Sequence, residues 1–517
     1  MSRIVFESDR PVAQVDPVRM DVACFVGLAR LQQGATLSPA VMEWLRLQGW
    51  VTGPYERPVN QILDIPIPIE NYAAFTAIFA DGGPTDYLAA CVRTFFAQGG
   101  KRCYVVRMGD SVDLTKETPS VDLLLPSTED EVDDQRGWHG AGHVAGLPEV
   151  SFLAMPDLPI LSASKLIVTP GATPVTPAGP VQFEECSQAD LTLETAPAPP
   201  NGAPRFAPGD YTKWAATVQT VLLFLSQNFR EMQLVAALPM PQETDVATAQ
   251  ADPANSLTQD LHEVINAVMP EPKPGGTQTG LDIGISTAFL QLAFPWLKTT
   301  SSTALLEGLE PPEGATIGLL ARNALTRGTF TSAVKIQPAE IYDVSTILPG
   351  QETNVSATPL VWGDNSFKPL IQRITLFGPT PVGLSLLSDV TTYGGESYRP
   401  ARIHRLVAVI LRSARTLGEQ IAFEQNGPRL WSRVQTVLRQ LMMRLWQLNA
   451  LDGDTIQDAF SVRCDASTMT QNDLDNGRLI ALVTFNAAST IEVIRVTMAL
   501  ETSGASAQAN VALQGAA

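Results

Sequence analysis

Histidine and cysteine are scarce in this chain, at four and five in 517 residues, and their placement excludes several chemistries. Cys24, Cys91, Cys103, Cys186 and Cys464 are scattered, odd in number and free of CxxC spacing, which signals neither a disulfide framework nor a zinc ribbon and suits a reducing compartment. The sequence holds no GxSxG nucleophile elbow and no GxxxxGK[ST] phosphate loop; Pro274-Gly-Gly-Thr-Gln-Thr-Gly280 reads as a flexible loop. No uninterrupted apolar run approaches the ~18 residues of a membrane span, and the first ten residues carry no apolar signal core. The expectation is a protein made in the cytosol, without direct membrane insertion. Positive charge is also in short supply: 35 basic residues against 53 acidic give a net charge of -18, which argues against nucleic acid as a partner.

What is present is enough apolar material for two or three cores. Hydrophobic residues make up 45% of a chain too long for one ordinary domain. Residues 1–20 hold Pro11 and Pro17 and alternate briefly around Val12 to Val18, the pattern of an extended arm. Val22 to Leu28 reads as a buried strand, and Pro39 to Leu47 as a helix with Ser38 at its N-cap and proline in its first turn. Tyr87 to Gln98 has helical spacing and stops at Gly99-Gly100, before the strand Cys103 to Arg107. Nine prolines between Pro170 and Pro208 mark an exposed insertion. Tyr211 to Phe229 is again helical and Gln233 to Leu238 a strand. Two long helices follow, Pro400 to Thr416 and Arg429 to Ala450, and then two strands, Arg478 to Phe485 and Ile491 to Leu500. The expected organisation is an arm at 1–20, an α/β region at 21–110, and a middle α/β domain at 111–365 with its insertion at 170–208. A C-terminal α/β domain at 366–500 and a flexible tail at 501–517 complete it.

Charge is unevenly spread. From Arg399 to Leu448 nine arginines meet only two acids, Glu419 and Glu424, a local net of +7. With -18 for the whole chain, the remainder sums to -25. Along Arg429 to Ala450 at about 100° per residue, Arg429, Arg433, Gln440, Arg444 and Gln447 share one stripe, with Trp431, Val434, Leu438, Leu441, Met442 and Leu445 opposite. A basic patch on an acidic chain fits an acidic protein partner.

The chemistry-bearing motifs read as structural. His139-Gly-Ala-Gly-His143 lacks the helical scaffold of HExxH and is expected to be a solvated loop. Cys464 is expected to be a buried thiol. Asp454 is expected to cap a helix at Thr455 to Phe460, and Met469 to Gly477 to supply turn and cap chemistry before the last strands.

Two separated regions resemble contractile tail sheath proteins. The first is Phe25-Val-Gly-Leu-Ala followed by Asp86-Tyr-Leu-Ala-Ala-Cys-Val-Arg-Thr-Phe-Phe-Ala-Gln-Gly-Gly-Lys-Arg-Cys-Tyr-Val-Val-Arg107. The second is longer: Ile421-Ala-Phe-Glu-Gln-Asn, Leu430-Trp-Ser-Arg-Val, Ala450-Leu-Asp-Gly, Val462-Arg-Cys-Asp465 and Met469-Thr-Gln-Asn-Asp-Leu-Asp-Asn-Gly-Arg478. The match covers about 150 residues at the two ends. Two elements depart from the family: the arm lacks a Pro-Gly-Val-Tyr-Val-Glu-Glu type segment, and Ile374-Thr-Leu-Phe-Gly-Pro stands where the family has an Arg-Thr-Leu-Ser core.

The resemblance implies a multi-domain, sheath-like α/β subunit without enzyme activity or cofactor. Such a subunit polymerises helically around an inner tube in a strained extended state and contracts to drive the tube through an envelope. Its implied partners are copies of itself, the inner tube protein, baseplate and cap proteins, and sheath paralogues. The implied location is the bacterial cytoplasm during assembly, then a phage tail or tail-like particle, released or envelope-anchored. It further implies that the C-terminal domain faces the tube, making Arg402, Arg405, Arg412, Arg429, Arg433 and Arg444 tube-facing candidates. Strands donated between neighbours would complete the C-terminal sheet, with Val12, Val15, Val18, Ile491, Val493, Arg495 and Thr497 as candidates. At ~3.3 Å per residue, a roughly 20-residue arm reaches ~65 Å. On the residues alone, pairing of Ile491 to Leu500 within its own sheet is an equal alternative. The departures favour a minor, baseplate-proximal sheath paralogue as second reading; an α/β hydrolase-like enzyme is the alternative of another class.

Overall fold

The structure, a computed structural model, describes residues 19–51, 61–116, 118–127, 135–163, 202–241, 261–269 apart from 263 and 267, 285–355, 357–362, 365–421, 424–488 and 494–500. Val12, Val15, Val18, Ile491 and Val493, the tail at 501–517 and most of the insertion at 170–208 lie outside the described residues.

An eight-stranded sheet forms the body. In chain order its strands are β1 (Val22–Gly27), β2 (Pro66–Ile69), β3 (Cys103–Arg107) and β4 (Val150–Ala154). After the two-residue β5 (Arg205–Phe206) come β6 (Gln233–Ala237), the short β7 (Met240–Pro241) and β8 (Leu290–Phe294). Two small pairings follow, β9 (Leu297–Thr299) with β10 (Ile341–Val344) and β11 (Leu360–Trp362) with β12 (Asn365–Phe367). The last body strands are β13 (Thr375–Thr380) and β14 (Gly383–Leu386). Spatial order is β14-β13-β8-β6-β4-β1-β3-β2, parallel from β13 to β3 and antiparallel at both ends.

Both faces of this sheet are covered, so its central strands read as continuous apolar runs. Along β1, Val22, Cys24 and Val26 enter one core while Ala23 and Phe25 enter the other. The first core is closed by helix α5 (Pro208–Asn228) through Trp214, Val218, Val221 and Leu225. The second is closed by α1 (Pro39–Leu47), α2 (Tyr72–Thr76), α3 (Tyr87–Ala97) and α6 (Glu313–Thr326); a short α4 (Leu158–Ser162) follows β4. Helices α3 and α6 touch backbone to backbone. A Cβ on Gly314 would stand 2.2 Å from the Cys91 carbonyl oxygen, and one on Gly318 2.6 Å from that of Phe95.

Both edges of the sheet are blunted. Proline has no N–H to give β3, so Ile67 and Ile69 carry that ladder, and at Pro66 and Pro68 the free edge has no N–H to offer another strand. At the other edge, Leu386 of β14 exchanges backbone bonds with Lys335 and Ile336, at 2.7 and 3.1 Å.

The expected domain boundaries shift accordingly. Regions 21–110 and 111–365 share one sheet, because β1 lies between β3 and β4. The start of the 366–500 domain is corrected as well: β13 pairs with β8 through Thr375↔Ala293 and Leu376↔Phe294, so the separate C-terminal unit begins at α7 (Ala401–Ile421). That unit adds α8 (Pro428–Gln447) and an antiparallel sheet of β15 (Phe460–Arg463), β16 (Leu479–Phe485) and β17 (Ile494–Leu500) around a third core.

Candidate assembly surface

Helix α7 is buried around most of its circumference, with His404, Arg405 and Arg412 of its polar face inside as well. Arg405 meets Asp389 at two points, Nη1–Oδ1 3.0 Å and Nη2–Oδ2 2.6 Å, and donates to the carbonyls of Thr329 and Thr331. Burial would raise the Asp389 pKa, but Arg405 and the donors Ala333 N and Gln291 Nε2 outweigh it and hold the carboxyl below its usual range. Arg412 donates to the carbonyls of Arg19, Glu149 and Val150 and to Ser151 Oγ. Arg415 pairs with Glu231 and donates to the Asn228 carbonyl. His404, beside them, is buried edge-on to Phe289 and its pKa is pushed down to about 3 by burial and then by Arg405.

Two of the six arginines expected to face a tube are therefore corrected. Arg405 and Arg412 are each 2% exposed and committed within the chain. Charge balance in the sequence does not distinguish an arginine on a solvated face from one whose acceptors lie far away along the chain.

Helix α8 keeps the expected division. It opens on Gly427 with Pro428 in its first turn, and buries Leu430, Val434, Leu438, Met442 and Leu445. Asn449, at φ 58°, ends it in a Schellman turn: Ala450 N donates to Leu445 O and Asn449 N to Trp446 O, both 2.9 Å. Side chains pin it further, with Gln435 Nε2 on Val462 O of β15 and Trp446 Nε1 on Gly453 O. Its solvent face carries Arg429, Arg433, Arg439 and Arg444 with the exposed apolar Val437 and, just past its end, Leu448. Arg433 pairs with Glu424; the other three have no ion pair among the described residues. Arg402 is half-buried, and burial lowers its pKa. Arg439 lies outside the stripe that the helical periodicity defines, although it counts among the nine arginines of the basic segment.

The C-terminal sheet has three strands from the chain itself. β17 pairs along its length with β16, placing Arg495 opposite Thr484 and Thr497 opposite Leu482. Thr470 and Asp473 form a reciprocal capping box ahead of β16, as the cap chemistry in the sequence suggests. The expected cap at Asp454 moves by one: Thr455 is the N-cap, its hydroxyl accepting from Asp458 N.

His139 and His143 do not form a solvated loop, which is a further correction. His143 is fully buried; its Nε2 meets Asp64 Oδ1 at 2.6 Å and His139 Nδ1 meets Asp64 Oδ2 at 3.0 Å. Their partner lies 75 and 79 residues away, and no local pattern announces it. Among the described residues no group of three such side chains has the geometry to hold a metal ion. Cys464 is buried and burial pushes its thiol up to about 12. A cleft of about 1070 Å³ opens at the carboxyl ends of β1 and β3, where Arg30 pairs with Asp86, Arg107 with Asp110 and Lys116 with Asp113.

No protein-family model and no curated protein matches the chain. Solved structures do. The class they define is the α/β fold found in the subunits of contractile particles, matched over nearly the whole chain. One such structure is the anti-feeding prophage baseplate in contracted state, with a TM-score of 0.53, 16% identity and 95% of each chain covered. Two others have a TM-score of 0.51 and 16% identity: the contracted helical sheath of the anti-feeding prophage, covering 95% of this chain and 96% of that one, and the contracted sheath complex of PVC, an extracellular contractile injection system, covering 95% and 98%. At that identity the likeness establishes a shared fold.

Proposed function

We propose that this protein is a sheath-type structural subunit of a contractile injection particle, acting without enzymatic chemistry. The observation that carries the reading is coverage: at least 95% of this chain aligns with at least 95% of chains from a contracted sheath and a contracted baseplate. The subunit polymerises helically around an inner tube, and the particle assembles in the bacterial cytoplasm before release or anchoring. The exposed α8 arginines, Arg429, Arg433, Arg439 and Arg444, together with Arg402 of α7, face an acidic tube surface. The segment before Arg19 and the strand region 491–500 supply backbone pairing to neighbouring copies. Support for the latter comes from the blunted edges of the body, which leave the small C-terminal sheet as the place for added strands.

Negative-stain electron microscopy of the chain, alone and coexpressed with its neighbouring tube and baseplate genes, tests this. Long striated tubes or contracted cylinders are the expected result. Short stubs, or density at one end of particles built from a paralogue, assign it instead as the baseplate-proximal adaptor. A persistent monomer in every combination overturns the proposal.

A further inference from the structure

Arg412 is fully buried and forms no ion pair among the described residues. Its charge is met by oxygen dipoles: Nη1 donates to Arg19 O at 2.9 Å and Glu149 O at 3.3 Å, Nη2 to Val150 O at 2.8 Å and Ser151 Oγ at 3.0 Å. These acceptors come from two places, the root of the N-terminal segment and the head of β4. The donor sits on α7 of the C-terminal unit. Burial pulls the Arg412 pKa down only to about 10, so the guanidinium keeps its charge at neutral pH.

The residues around it tighten the same junction. Arg19 forks onto the buried carboxylate of Asp21, at 2.6 and 3.0 Å. Met20, between them, is 1% exposed and belongs to the C-terminal core with Leu406 and Ile410. Val22 then opens β1 opposite Val150. Within four residues the chain is bonded to α7, inserted into the C-terminal core and zipped into the central sheet.

We infer that Arg412 is a mechanical clamp at the root of the N-terminal arm, passing tension on the segment before Arg19 to α7 and the C-terminal core instead of to the β1 ladder. Without it, a pull on the arm would be held only by the packing of Met20 before it reached the opening pair of β1 at Val22 and Val150. Charge-assisted bonds inside a dry junction resist better than neutral ones at a strand end. That the arm bears tension from a neighbouring copy rests on the proposed function; the clamp itself does not.

The test uses the isolated full chain. Trypsin cleavage at Arg19–Met20 is timed relative to the protein's other sites, which corrects for global unfolding. The unaltered chain is expected to resist there; cleavage at the rate of an unstructured peptide overturns the clamp with no variant needed. Arg412→Met is expected to speed that one cut at least tenfold over the others, with Arg412→Lys intermediate. A uniform increase at all sites, or none, overturns it. Single-molecule pulling between the N-terminus and a handle at Gln440→Cys then reads the load path: a low-force extension before the main event in Arg412→Met, absent from the unaltered chain, is expected, and identical traces sink the idea. Because both readouts need no polymer, failure to form helical arrays with an intact clamp removes the functional reading alone.

Discussion

Arg405 and Asp389 face each other as a buried two-point pair, and through it the first helix of the C-terminal unit is bolted to the segment that follows β14. The pair is expected to be costly to break on one side. Arg405→Ala strands the Asp389 carboxylate in the interior and should destabilise the protein by about 3–5 kcal/mol in chemical denaturation. An apolar replacement of both residues, Arg405→Met with Asp389→Leu, should recover only part of that loss, because Ala333 N and Gln291 Nε2 lose their acceptor. Since the Asp389 pKa is depressed, its share of stability is present above the unfolded value and disappears as pH falls through the folded one.

Glu310 and Glu313 behave in the opposite sense. Burial raises Glu310 to about 7 and Glu313 to about 8, against only partial relief from Thr94 and from the Ala237 N–H respectively. A raised carboxyl favours the fold while protonated, so stability should be greatest below the unfolded pKa of 4.5 and fall as pH climbs to about 8. For one such group the slope is at most about 1.4 kcal/mol per pH unit. Glu313→Gln should flatten the profile; a variant curve parallel to the parent's would contradict the assignment.

Close approach of α3 and α6 makes Gly314 and Gly318 intolerant of a methyl group. Gly314→Ala should cost about 1–3 kcal/mol, since the obstacle is the Cys91 backbone and cannot rotate away. Gly209 in the first turn of α5 has open space around it, and Gly209→Ala should stabilise by about 0.4–1 kcal/mol. Thermal melts of the two variants should therefore move in opposite directions.

Charge reversal separates the two classes of arginine. Arg429, Arg439 and Arg444 changed together to glutamate should leave each chain's own stability within about 0.5 kcal/mol per site while abolishing assembly on tubes. Arg412→Glu should prevent folding. Assembly that survives the triple change would remove α8 from the tube interface.

The elements were legible where their periodicity was local. Helix α8 announced both faces because its apolar residues recur every three to four positions, and β1 and β3 announced burial on both faces by unbroken apolar runs. Neighbours were not legible. Nothing in Thr375 to Thr380 says that its partner is β8, some 80 residues earlier, so a boundary at 366 falls inside the body sheet. Asp64 and the two histidines share that fault, as do Arg405 and Arg412: a buried polar group is satisfied by whatever the fold brings to it, and the sequence records only one side of the bond.

Pro66 and Pro68 stop one end of the eight-stranded sheet to further strands, and the Lys335–Ile336 segment stops the other. A monomer open at both ends of so large a sheet would have a functionality high enough to branch, and branched growth ends in a gel. Under the proposed function, stopping both ends confines backbone pairing between copies to the small C-terminal sheet, which would keep that growth linear. Pro66→Thr with Pro68→Thr would restore the missing donors and is the change expected to turn soluble protein into a cross-linked precipitate, with no alteration to any surface meant for assembly.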